Sequence, residues 1–184
     1  MTKSRTMRYW LLLLMISLAG CKIDRDKKVD RNKYTFTIND DAELFFRNVR
    51  QIYYDRSSPD GTWQAYRFGG RYQGNERPAI YPVIVINWLK DEAYLLVDTN
   101  EVLSREDFLR IKIVNKKNTV QIDLKDRGRE RMLEFGSVMY EALQRKDSVF
   151  VWQQGKYVPI LIDEEDRESV RIPMADFYRL TRVF

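Results

Sequence analysis

Residues 79–89 read AIYPVIVINWL. Four consecutive β-branched side chains, Val83 to Ile86, make this run a strand rather than a helix. Its apolar character on both faces of the pleat places it in the middle of a sheet. Pro82 lacks the N–H that a central ladder needs, so it is tolerated only near the start of the strand. KDE at 90–92 is a turn, and AYLLV at 93–97 returns the chain antiparallel to the first run. On the other side, residues 63–68 (WQAYRF) form a further strand that Gly69-Gly70 ends.

The same alternation recurs downstream. Leu109, Ile111 and Ile113 alternate with polar residues, NKKN at 115–118 turns, and Val120, Ile122 and Leu124 alternate back. This is the clearest hairpin in the chain. Residues 149–152 and 157–162 flank Gln154-Gly155 as a second hairpin, and residues 34–38 (YTFTI) alternate as a half-buried strand.

Helical periodicity appears in three places. Asp40 and Glu43 make a capping box, with Asp at the N-cap. Behind it Ala42, Phe45, Phe46, Val49, Ile52 and Tyr53 share one face of a helix that ends near Asp55, before the turn SSPDG at 57–61. A second helix spans about 129–146, burying Met132, Phe135, Met139, Ala142 and Leu143. Ser104 and Asp107 cap a short helical turn. Residues 163–169 are a charged connector, helical or extended, and Pro173 at N1 opens a short C-terminal helix carrying Phe177, Leu180 and Phe184. The expected class is α+β: a mainly antiparallel sheet of about seven or eight strands with two or three helices packed on it.

Composition agrees with one domain. Of 184 residues 44% are hydrophobic and 13% aromatic, ample for a core, and neither a repeat nor a low-complexity segment is present. The net charge of +5 is unevenly placed. Nine of the 32 cations and three of the 27 acids precede Tyr34, leaving 23 cations against 24 acids in the body. A near-neutral body argues against nucleic acid as a partner, since phosphate binding needs clustered Lys and Arg.

The cationic excess belongs to the N-terminus. Lys3, Arg5 and Arg8 precede an apolar run at 10–19, too short to span a bilayer, where about 20 residues are needed, but the length of an export signal's core. The run ends in Leu18-Ala19-Gly20-Cys21, which resembles the lipobox of bacterial lipoproteins. That resemblance covers residues 1–21 and implies a cleaved signal peptide at 1–20. It further implies an acylated Cys21, carrying diacylglycerol on its thiol and an acyl chain on its amine, and a membrane partner reached through that anchor. Cys21 is the only cysteine, so no disulfide within the chain competes for it. In Gram-negative lipoproteins Asp after the lipidated Cys commonly marks inner-membrane retention. Lys22 stands there instead, which implies an outer membrane lipoprotein, facing either the periplasm or the cell surface. Residues 21–33 (CKIDRDKKVDRNK) read as the lipidated Cys and a flexible tether with a typical span of about 20 Å. Residues 34–184 then form the single globular domain.

Chemistry is constrained by what is missing. The chain has no histidine, and its one cysteine is assigned to lipid, which removes Ser-His-Asp and Cys-His catalysis and zinc sites built on those ligands. Glu164, Glu165 and Asp166 form an acidic cluster, and Asp123 and Asp126 lie at a strand end, but calcium-loop spacing is absent. No metal and no cofactor is expected beyond the covalent lipid. Aromatic and Arg residues interleave at Tyr54, Arg56, Trp63, Tyr66, Arg67, Arg71 and Tyr72. They read either as a recognition face, since these residue types dominate interface hot spots, or as core with Arg stems lying over it. The leading expectation is a lipid-anchored, non-enzymatic protein-interaction or assembly module with an envelope protein partner. The alternatives are a small-ligand or glycan-binding lipoprotein and, behind it, a carboxylate-based hydrolase.

Overall fold

A computed structural model describes residues 27–58, 61–104 and 106–184. The expected signal peptide, Cys21 and the expected tether up to Asp26 lie outside the described residues.

The chain is α+β, with eight antiparallel strands in two sheets of four among the described residues. The first sheet has the order β1-β2-β3-β4, from Tyr54–Ser57, Gln64–Phe68, Ile80–Asn87 and Glu92–Thr99. The second has the order β6-β5-β7-β8, with β5 at Leu109–Val114, β6 at Thr119–Leu124, β7 at Ser148–Gln153 and β8 at Lys156–Ile160. The apolar run quoted first is indeed mid-sheet, between β2 and β4. Its ladder with β2 extends as far as Arg67↔Val83, one residue short of Pro82, so the missing N–H opposes no strand on that side. Both expected hairpins form. Asn115 Oδ1 accepts from the amides of Lys117 and Asn118, and Gln154 and Gly155 turn at positive φ, +48° and +84°.

Three α-helices among the described residues complete the fold. Helix α1 spans Asp40–Phe45, α2 spans Arg129–Gln144 and α3 spans Glu164–Leu180. Helices α2 and α3 cover the inner face of the first sheet, and Ile84, Ile86 and Leu95 meet Phe135, Met139 and Phe177 in one continuous core. That core takes in the inner face of the second sheet, Ile111, Ile113, Val149 and Val151. On α2, Gly136 is required by close approach: a Cβ there would overlap the Leu95 side chain. No helix among the described residues is long and apolar enough to cross a membrane.

Four expectations need correction. Residues 34–38 form no strand; they run along the free edge of β4 and make one isolated bridge, Thr37↔Glu92. The cap of α1 is Asn39, whose side chain accepts from Asp41 N, rather than Asp40. Pro173 does not open a helix. Asp163 caps α3 ten residues earlier, accepting from Asp166 N, and the acids of the first turn suit the helix dipole, so Pro173 is interior and buried. Burial of Val170, Met174, Phe177 and Tyr178 on the same helix outweighs the proline penalty of about 3 kcal/mol. Finally, ordered packing begins before Tyr34: Val29 is buried and Asp30 N donates to Val183 O at 3.0 Å.

Candidate interaction surface

The segment after α1 does not keep the helical period that its apolar residues suggest. The α-helix ends at Phe45, a π-helical turn covers Phe46–Arg50, a 3-10 turn covers Gln51–Tyr53, and β1 follows directly. A π turn bonds i to i+5 and widens the spacing, which rotates later side chains off the face that a 3.6 period assigns them. Ala42 and Phe46 stay buried, whereas Val49, Ile52 and Tyr53 are exposed by 47%, 85% and 53%, and Leu44 by 60%. Four large apolar side chains are thus in solvent on ten residues of chain. Leu89, at the β3–β4 turn beside Trp88, is exposed as well.

Beside this segment lies an open groove of 290 Å³ lined by Arg47, Gln51, Arg56, Gln64, Tyr66 and Trp88. Its floor is tightly bonded. The Tyr66 hydroxyl donates to Gln64 Oε1 at 2.7 Å, and Trp88 Nε1 donates to the same oxygen at 3.1 Å. Burial pushes the Tyr66 hydroxyl above its ordinary pKa, which keeps the proton on it. The Arg47 guanidinium stacks on the Trp88 ring at 4.2 Å, and Trp88 rests on buried Phe46 at 6.4 Å. Arg and Trp are thereby held in place at the groove wall, the residue types that make interface anchors.

The structure divides the seven residues singled out in the sequence. Strand alternation sends Tyr54 and Tyr66 inward, where they are 8% and 0% exposed and pack edge-on to each other, so both are core rings rather than surface. Arg56 shares the groove with the Tyr66 hydroxyl. Trp63 and Arg67 belong to the opposite, outer side of the sheet. Trp63 packs on Tyr94 at 5.3 Å, while Arg67 bonds Asp98 at 2.8 Å and Ser57 Oγ at 3.1 Å. Arg71 is held by Asp55 at 2.6 Å, and Tyr72 by its bond to Glu76 and by Arg77 over its ring. These seven residues do not form one face.

A second surface went unread in the sequence. On the outer side of the second sheet Lys112 Nζ lies 4.1 Å from the Tyr157 ring and 5.1 Å from Phe150, and Arg110 lies between Phe108 and Trp152. The alternation that puts Ile111 and Ile113 inside also puts Arg110 and Lys112 outside, so the signal was present.

The acids have structural work. Glu164, Glu165 and Asp166 are the first turn of α3, and Asp166 pairs with Arg77. Asp123 pairs with Arg110 at 3.1 Å, and Asp126 accepts from Gly128 N at 2.8 Å. Among the described residues no group of three or more His, Cys, Asp or Glu side chains is placed to hold a metal ion. Comparison of the chain with known protein families, with curated proteins and with solved structures finds no match in any of the three.

Proposed function

We propose that this chain is a lipid-anchored, non-enzymatic interaction module on the outer membrane of a Gram-negative-type envelope, gripping a protein partner through residues 44–56. The observation that carries the reading is the solvent exposure of Leu44, Val49, Ile52 and Tyr53 on one irregular segment, beside a groove walled by Arg47, Arg56 and Trp88. Scattered single apolar side chains need no explanation, but a cluster bordered by fixed Arg and Trp is the anatomy of a protein-binding patch. The lipobox-like LAGC at 18–21 supports the anchor, and Lys22 supports the outer membrane.

The test is site-specific photocrosslinking in cells. A photoreactive residue at Gln51 gives one discrete adduct, and the same residue at exposed Lys156, on the second sheet, gives none. Ile52→Glu abolishes the adduct while changing stability by no more than about 0.5 kcal/mol, because the side chain is exposed. Trp63→Ala, on the other side of the sheet, leaves the adduct intact. Equal adducts at both positions, or an adduct indifferent to Ile52→Glu, would exclude this patch.

A further inference from the structure

A cluster of cations lies near the place where the described residues begin. Gln144, the last residue of α2, donates from Nε2 to the carbonyl of Lys27 at 2.9 Å, and Lys27 Nζ lies 5.2 Å over the Phe184 ring. The two residues after Gln144 are Arg145 and Lys146. With Lys116 and Lys117 of the β5–β6 turn they line an open cleft of 710 Å³.

The acids nearby are already engaged. Asp147 pairs with Arg145 at 2.9 Å, Glu141 with Arg31 at 3.3 Å, and Glu168 with Arg171 at 2.6 Å. Lys28, Lys116, Lys117 and Lys146 make no ion pair among the described residues. A cation at a helix C-terminus is common, which accounts for Arg145 and Lys146 alone. It does not account for two more lysines on the adjoining β5–β6 turn, which the pairing of Val114 with Ser148 brings beside them, nor for their position next to the Gln144–Lys27 contact.

We infer that this lysine cleft rests on anionic lipid headgroups and fixes how the body stands on the membrane. The inference depends on the anchor proposed above. Only five residues lie between Cys21 and Lys27, a reach of at most about 20 Å, so an acylated Cys21 keeps this end close to the headgroups. Residues 22–26 carry Lys22 and Arg25 against Asp24 and Asp26, so the tether adjoining the lipid is neutral and the attraction must come from the body. Each lysine near an anionic surface strengthens its hold about fivefold. Two or three acyl chains already hold the protein, so the cleft selects orientation rather than residence.

The experiment reads orientation in the acylated protein. Cys21 is the only native cysteine, and acylation blocks it, so Asn118→Cys at the cleft and Lys156→Cys, at the opposite end of the second sheet, each accept one fluorophore. Vesicles contain a headgroup-labelled quencher in phosphatidylcholine, with or without roughly one third phosphatidylglycerol. With phosphatidylglycerol present, the label at position 118 is quenched at least about twice as strongly as that at 156. The difference collapses in phosphatidylcholine alone, in high salt, and in the triple variant Lys116→Gln, Lys117→Gln, Lys146→Gln. Equal quenching at the two positions, or a difference indifferent to phosphatidylglycerol, overturns the docking while leaving the anchor in place. Absence of acyl groups on Cys21 by mass spectrometry removes the anchor, and the docking with it.

Discussion

Asp176 is 4% exposed on α3 and accepts three bonds. Arg50 Nε reaches both carboxylate oxygens, at 3.0 and 2.9 Å, and the Tyr54 hydroxyl donates at 2.6 Å. Burial raises the carboxyl above its ordinary value, and the Tyr54 and Arg50 bonds pull it back. The folded state therefore holds this proton at a pH where the unfolded chain has lost it. The group's contribution is complete below the unfolded pKa and is lost as pH rises through the folded one. Urea unfolding should show wild type losing stability relative to Asp176→Asn as pH rises from about 4 to about 7; the opposite slope would mean that the ion pair outweighs burial. Arg50→Met leaves the carboxylate buried without its partner. It should cost about 3–5 kcal/mol at mildly alkaline pH, and less in acid where the carboxyl can protonate. The triad joins the π turn to α3, so the residue that braces the exposed patch from beneath is an aspartate of the C-terminal helix.

At the scale of elements, turn chemistry was readable because it is local. Gly155 sits at φ +84° with open space around it, so Gly155→Ala meets no clash and pays only the backbone term, about 1 kcal/mol, or about 2–4 °C in calorimetry. A shift near zero would show that the turn relaxes to another type. The Asp163 cap is local too, although Pro173 draws the sequence reading to a later helix start; Asp163→Ala should cost about 1 kcal/mol. What else escaped the sequence was set by distant partners. The apolar side chains from Ala42 to Tyr53 fit a helical period, and nothing in their spacing announces the π turn at Phe46. The Arg50–Asp176 bond, spanning 126 residues, lies across that turn. Alternation at 34–38 is that of a strand, but the segment lies along β4 with one bridge instead of a ladder. For the same reason Tyr54 and Tyr66 could not be separated from Arg56 by composition: β1 was not legible, and strand phase decides which rings go inward.

At the scale of the whole molecule, the two sheets share one hydrophobic core although no strand pairs across them. Their connection runs through the helices. Arg167 on α3 donates to Leu161 O at 3.0 Å and to Asp147 O at 2.9 Å, at the ends of β8 and α2, and Val183 accepts from Asp30, closing the N-terminal segment on the C-terminus. A patch on residues 44–53 and a lysine cleft at the far end of α2 can act together only if the parts carrying them do not move independently. The tryptophans test this, because Trp63 and Trp88 report on the first sheet and Trp152 on the second. With Trp10 changed to Phe throughout, variants keeping Trp152 alone, through Trp63→Phe and Trp88→Phe, and others keeping the first-sheet pair through Trp152→Phe, should each be followed by fluorescence and circular dichroism in urea. For each variant the fluorescence transition should coincide with the loss of secondary structure, as one cooperative unit requires. If the Trp152 signal moves before the helical signal, the second sheet opens on its own, and the body cannot hold a partner in fixed relation to the membrane.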